Sequence, residues 1–344
     1  MPGSYGLAVW GSPQWRAQAA SWLDEQLAAA GLARTGEVTQ PHLRAWGTVL
    51  RAPTTDGPVW LKAPGPGTAF EVELYRLLAR VAPDRVLPAL AADPRRGWLL
   101  LPDGGPTLGE RVTGGDLVEA LVVILPQYGQ LQRDLAGHVD ELLAFGVTDM
   151  RAAVMPQRFD EALTAAREYL GYAGTAPDWA LYHRIVGARA SVAAWCQRLA
   201  GAPVPPSLDH NDLHPFNIFL AGTDGASPAG PARFYDWGDS VVAHPFASLL
   251  VGLGFLHQSL GAGPDDPQIV RPRDAYLEVF SDLASHAELV ETIGLACSVG
   301  KIARALTWHR SLRAQGLEQA GEHARAPLES LASMLGPSYL TLGA

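Results

Sequence analysis

The sequence predicts an α+β chain, with a small, mostly antiparallel sheet and few helices over residues 1–101 and a larger, mainly helical region over 107–344. Three observations predict it. Before residue 101, short apolar runs alternate with turn residues, the pattern of a hairpin sheet. After residue 107, apolar residues recur at helical spacing over long segments. Between them, Pro102-Asp103-Gly104-Gly105-Pro106 has the composition of a linker or hinge over 102–106.

The first element is a helix opened by Ser12-Pro13, since Ser caps a helix and Pro suits its first turn. Its apolar stripe is Trp15, Ala19, Trp22, Leu23 and Leu27, and Gly31 stops it. Strands are expected around 36–39, 47–52 and 58–63, with Asp56-Gly57 as a hairpin signal. A helix over 70–82 follows, then strands at 85–92 and 98–101 joined by Asp93-Pro94-Arg95-Arg96-Gly97. Further helices are expected over 117–135, 139–145, 158–170, 179–199, 272–283, 288–314 and 318–335, with a loop at 261–272. A short β insert interrupts them: Ile218-Phe219-Leu220, a Gly/Pro/Ser/Asp loop over 221–232, and Arg233-Phe234-Tyr235.

The chemistry concentrates in that insert. Residues 210–217 read His-Asn-Asp-Leu-His-Pro-Phe-Asn, which fits H-x-D-x-x-x-x-N, and Tyr235-Asp236-Trp237-Gly238 places an Asp beside a Gly after an apolar strand. Phosphoryl transfer needs an oxygen nucleophile aimed at a phosphate and cations that neutralise the phosphate oxygens. Asp212 can orient a hydroxyl and accept its proton. Asn217 can return to the same place and offer a neutral oxygen to Mg²⁺, and Asp236 can supply a charged one. His210 suits a scaffold role, holding the loop by hydrogen bonds.

A second anchor lies upstream. Only two lysines occur, Lys62 and Lys301. Lys62 ends the apolar run Val59-Trp60-Leu61, where a compact point charge can reach phosphates. The helix over 70–82 offers Glu71 and Glu73 as partners. Glu71 shares a face with Leu74 and Leu78, so it leans toward the core and is the expected partner. The extended backbone of Leu99, Leu100 and Leu101 is the candidate edge for a purine.

With these residues in order, the chain resembles the aminoglycoside phosphotransferase-like family, the small-molecule branch of the protein-kinase-like bilobal fold. Lys62, Glu71, His210, Asp212, Asn217 and Asp236 carry the resemblance, with the catalytic loop over 208–220 and the metal segment over 233–245. It implies ATP or GTP as donor, Mg²⁺, and a hydroxyl acceptor such as an aminoglycoside, an amino sugar, choline or a related metabolite. Two features depart from the pattern. No G-x-G-x-x-G occurs near the N-terminus, where 40–49 supplies only Gly47, and Asp239 adds an acid to the metal segment. A capping or loop role is expected for Asp239.

Composition bounds the partners. The net charge of −9 argues against nucleic acid, which selects a basic face, and is compatible with a cationic acceptor. Cys196 and Cys297 are isolated, without a C-x-x-C pattern. No signal peptide is read at the start, and the longest apolar runs are too short to span a bilayer, so a soluble cytoplasmic protein without a membrane segment is expected. Acceptor-side candidates are Asp149, Arg151, His214, Trp308, His309, Asp239, Asp274 and Glu278, each also able to serve as a capping, surface or core residue. His244-Pro245-Phe246 is expected to be a structural turn. Two other functions compete: a nucleotide-binding pseudokinase, and a metal-dependent hydrolase using His210, Asp212, His214 and Asp236.

Overall fold

The computed structural model describes residues 6–44, 46–220 and 230–342. The chain divides into two compact units, one of Met1–Gly105 with Phe234–Gly238, the other of Pro106–Arg233 with Asp239–Ala344.

In the first unit, helix α1 (Pro13–Ala29) starts where Ser12 Oγ accepts from the Trp15 N–H at 3.2 Å. Its stripe of Trp15, Ala19, Trp22, Leu23 and Leu27 packs on Leu50, Ala52, Val59, Leu61, Trp98 and Leu100. Trp15 and Trp22 meet the Trp98 ring edge-on, with centroids 5.9 and 5.4 Å away. The sheet contains β1 (Thr39–Arg44), β2 (Gly47–Thr54), β3 (Gly57–Pro64), β4 (Ala91–Asp93) and β5 (Trp98–Pro102), in the antiparallel order β1-β2-β3-β5-β4. Helix α2 (Glu71–Val81) buries Glu71, Val72, Leu74, Tyr75, Leu77 and Leu78.

Two strand expectations shift, and proline accounts for both. The first strand runs over Thr39–Arg44 rather than 36–39, with a register break between Thr39 and His42. Pro41, inside that break, cannot donate to the ladder and is tolerated on an edge strand. The segment 85–92 is not one strand. Pro83–Arg85 is a 3₁₀ turn, and pairing begins only at Ala91, beyond Pro88.

The second unit is mainly helical: α3 (Gly114–Leu135), α4 (Met155–Ala173), α5 (Ala176–Gly187), α6 (Arg189–Ala200), α7 (Leu249–Leu260), α8 (Pro267–Glu278), α9 (His286–Gln315) and α10 (Ala326–Ala332). The 30-residue α9 opens on a capping box between Ser285 and Glu288. The expected 179–199 helix is two, and it starts earlier because Thr175 and Asp178 form a capping box. The expected loop at 261–272 is helical from Pro267, since Asp266 caps the Gln268 N–H at 2.8 Å. The expected 318–335 helix breaks at Gly321, which takes φ 54. Among the described residues no helix is long and apolar enough to cross a membrane.

The insert is built as expected. β7 (Ser207–Asp209) pairs antiparallel with β10 (Val241–Ala243), and β10 pairs parallel with β6 (Thr148–Asp149). β8 (Ile218–Leu220) and β9 (Ala232–Phe234) form a two-stranded sheet. Most of the loop expected over 221–232 lies outside the described residues.

Candidate active site

The loop after β7 is shaped by its own polar side chains. Asp209 Oδ1 accepts from the Asn211 N–H at 2.7 Å and from Ser248 Oγ at 2.7 Å. Asn211 takes φ 59, a left-handed conformation that Asn adopts more readily than most residues. That turn delivers Asp212. Arg304 Nη1 donates to Asp212 Oδ1 at 3.0 Å, and His214 Nε2 lies 3.4 Å from Oδ2. Burial by itself would raise the Asp212 carboxyl. The His214 hydrogen bond and the Arg304 charge outweigh it and hold the group well below the usual carboxylate range. Asn217 folds back, donating from Nδ2 to the Asp212 carbonyl at 3.0 Å. Its Oδ1 is therefore turned away from that bond.

Beneath the loop is a buried polar floor. His210 has no exposed surface, and its N–H donates to the Tyr128 hydroxyl at 3.0 Å. Tyr128 and Ser248 share a hydrogen bond of 2.9 Å, and Gln132 Nε2 donates to the carbonyls of Leu208 at 2.8 Å and Pro245 at 2.9 Å. Asp209 is enclosed here, and burial pushes its carboxyl up to about 6. His244 is buried as well, its Nδ1 accepting from the Phe246 N–H at 3.3 Å, in a 3₁₀ turn over Pro245–Ser248.

The first unit carries an ion cluster. Lys62 on β3 places Nζ 2.5 Å from Glu71 Oε1 and 2.5 Å from Asp236 Oδ1. Burial alone would lower the Lys62 amine, but the Asp236 and Glu71 charges outweigh it and keep the amine protonated. Burial raises Glu71, whose side chain is 3% exposed. Glu73 instead pairs with Arg76 at 3.2 Å on the surface. Asp236 takes φ 63, and together with Asn211 it completes the non-glycine positive-φ residues among the described chain. Both fall in the two motif segments, where strained backbone aims side chains.

The purine edge needs correction. Leu99 faces Lys62 on one side and Ala92 on the other, Leu100 faces Leu61 and Ala91, and Leu101 faces Trp60. Leu100 also accepts from the Leu90 N–H at 2.9 Å. The backbone of Leu99 and Leu100 is thus shared between two neighbouring strands, which leaves it no edge for a ligand. The Asp239 carboxylate pairs with Arg310 at 3.0 Å.

The other acceptor-side candidates are engaged elsewhere. Asp149 is held by Arg151 through bonds of 2.9 and 2.7 Å, Asp274 by Arg273 at 2.8 Å, and His309 lies 3.7 Å from Glu168. Trp308 stacks on His323 at 5.4 Å, and Glu278 is exposed. Sequence reasoning missed Arg304. Its signal is a charge inside the apolar stretch Ile302-Ala303-Arg304-Ala305-Leu306 of a long helix, where a cation needs a partner.

Each unit carries an oxygen donor of a kind that magnesium takes. Asn217 offers an amide oxygen and Asp236 a carboxylate, both hard oxygen ligands. Among the described residues no group of three or more His, Cys, Asp or Glu is placed to hold a metal ion. Mg²⁺ does not require one, since it takes one or two protein oxygens and completes its shell with phosphates and water.

No protein-family model matches the chain, and no curated protein matches it in sequence. Solved structures do. An ethanolamine kinase from Plasmodium vivax aligns over 92% of this chain and 85% of its own, at 11% identity and TM-score 0.61. A choline kinase from Streptococcus pneumoniae aligns over 92% and 99%, at 16% identity and TM-score 0.54. A macrolide 2′-phosphotransferase from Brachybacterium faecium aligns over 92% and 98%, at 19% identity and TM-score 0.53. At such identities the likeness speaks for the fold, and the chain has the protein-kinase-like fold found in these small-molecule phosphotransferases.

Proposed function

We propose that the protein is a magnesium-dependent kinase that transfers the γ-phosphate of ATP or GTP to a hydroxyl of a small molecule, an aminoglycoside, an amino sugar or a similar metabolite. The observation that carries this reading is the state of Asp212. Its carboxylate is kept ionised by Arg304 and His214 on a loop whose strained turn aims it, with the Asn217 amide folded beneath. A strongly acidic carboxyl is a weak base. It suits a loose transfer, in which the hydroxyl needs orientation more than early deprotonation.

The remaining roles follow from chemistry. Asp212 accepts a hydrogen bond from the acceptor hydroxyl, aligns its oxygen with the γ-phosphorus and takes the proton late. Lys62 donates to donor phosphates, and the buried Glu71 carboxylate holds its amine in place. Asn217 and Asp236 supply oxygens to Mg²⁺, which when bound neutralises charge on the phosphate oxygens. His210 holds the loop from below. For the purine, the first backbone group past the β4 pairing that turns away from β3 is the Pro102 carbonyl, because neighbouring strand residues alternate sides and Asp103 donates to Pro58 at 3.1 Å.

The test is a nucleotide-consumption screen with Mg²⁺ over aminoglycosides, amino sugars, choline analogues and small sugars, beside calorimetry of ATP and GTP. Mg²⁺-dependent nucleotide binding and phosphate transfer to one acceptor class are expected. Absence of nucleotide binding with Mg²⁺ present overturns the proposal.

A further inference from the structure

Helix α9 lays three polar side chains against the two motif segments at i, i+3 and i+6, Arg304 and Thr307 on the catalytic loop and Arg310 on Asp239. Each makes a separate contact. Arg304 Nη1 donates to the Asn211 carbonyl at 2.7 Å and to Asp212 Oδ1 at 3.0 Å. Thr307 Oγ1 accepts from Asn211 Nδ2 at 2.9 Å. Arg310 Nη2 donates to Asp239 Oδ1 at 3.0 Å. Asn211 closes the pattern, since its Nδ2 also donates to the Asp239 carbonyl at 3.2 Å.

The geometry points to Arg304 as a positioning residue for the proposed phosphoryl transfer, with Thr307 as its support. One Arg304 nitrogen grips both the backbone of the strained residue and the carboxylate that follows it. The peptide between residues 211 and 212 and the Asp212 side chain are therefore fixed by one nitrogen of a planar guanidinium. Asn211 is 3% exposed and in a left-handed conformation, so it needs contacts that over-determine it. Asp209 supplies one at the N–H, Arg304 one at the carbonyl, and Thr307 one at the side chain. The Arg304 side chain is 17% exposed, so water screens its charge on Asp212 less than it would at the surface. Without it, Asp212 keeps His214 as a neighbour at 3.4 Å, yet its carboxylate is free to turn away from the acceptor.

This inference rests on the proposed kinase function, and its test separates the two. Arg304→Met and Arg304→Lys are compared with the wild type in steady-state kinetics, nucleotide calorimetry and hydrogen-exchange mass spectrometry. Arg304→Met is expected to lower kcat about 10²-fold, the scale of a small misplacement of a reacting group. Nucleotide Kd should stay within about 2-fold, since among the described residues the Arg304 hydrogen bonds go to the loop carboxylate and carbonyl. Arg304→Lys should recover part of the loss, because an ammonium keeps the charge but not the planar, pre-organised geometry. Amides of residues 209–214 should exchange faster in Arg304→Met while those in the middle of α3 do not. Normal kcat in folded Arg304→Met overturns the assignment, and so does a uniform rise in exchange across the unit. If the wild type transfers phosphate to nothing, the kinase reading fails on its own. Exchange at 209–214 then decides the positioning role alone, and unchanged protection there overturns it.

Discussion

Lys62 and Asp236, 174 positions apart in the chain, form an ion pair with 2.5 Å between Nζ and Oδ1, and the same amine holds Glu71. One cation thus neutralises the acid expected to fix it and the acid expected to bind metal. The pairing matters most for Glu71, whose buried carboxylate would be costly there without a cation. Nucleotide phosphates and Mg²⁺ would replace this pairing with matching partners, the anion for Lys62 and the cation for Asp236.

Lys62→Ala should therefore do two kinds of damage. Nucleotide affinity falls for want of a phosphate contact. Folding stability falls by about 3 kcal/mol, since Glu71 is left buried without its cation. Denaturant titration beside calorimetry reads both, and a variant as stable as wild type removes the structural half of this account.

Glu71→Gln should lower turnover by letting Lys62 move, whereas Glu73→Gln should be close to silent. Glu73 pairs with Arg76 at the surface, where such a pair contributes about 0.5 kcal/mol or less. The reverse ranking in a nucleotide-consumption assay would exchange their roles.

Asp212→Ala should leave nucleotide affinity nearly intact and lower turnover by about 10²-fold or more, the scale of a positioned acid–base group. Near-normal turnover would remove Asp212 from the chemistry.

Asp236→Asn should weaken the Mg²⁺ dependence of nucleotide binding, because a carboxylate becomes a neutral amide. Asp239→Asn should change it far less, since Asp239 is already held by Arg310. Calorimetry with and without Mg²⁺ compares them, and a larger effect at Asp239 would transfer the ligand role.

Asp209→Asn makes a pH prediction. The ordinary carboxyl value is 3.8, and burial pushes Asp209 up to about 6 in the folded chain. Below about pH 4 the group is protonated in both states and folding carries no penalty from it. As pH rises through about 6, the buried group must ionise, and that stability is lost. Relative to Asp209→Asn, which keeps an acceptor oxygen, the wild type should lose about 3 kcal/mol between pH 4 and pH 7. Chemical denaturation across that range reads the difference, and a flat difference places the titration elsewhere.

The order of elements was legible because each has a local cause. Ser12-Pro13 marks the start of α1, its tryptophan and leucine stripe follows a helical period, and Gly47–Thr54 with Gly57–Pro64 alternates and turns at a glycine. The closeness of Asp212 and Asn217 was legible too, since they sit at a fixed spacing that a single turn brings together. The Lys62–Glu71 pair was legible from the apolar face that Glu71 shares.

Boundaries and long-range partners were not. Pro88 delayed β4, and Asp266 began α8 inside a segment whose glycines and prolines read as loop. The backbone of Leu99 and Leu100 reads as free only until β4 is known to pair beside it. The Arg304 contact to Asp212 spans 92 positions, and no local pattern specifies which distant cation meets that acid. The sequence by itself determined the order of the elements and which polar residues share each motif segment, because propensity, capping and periodicity act within a few residues. Only the tertiary structure decided which charge neutralises which, since that depends on packing α9 against the catalytic loop and α2 against β3.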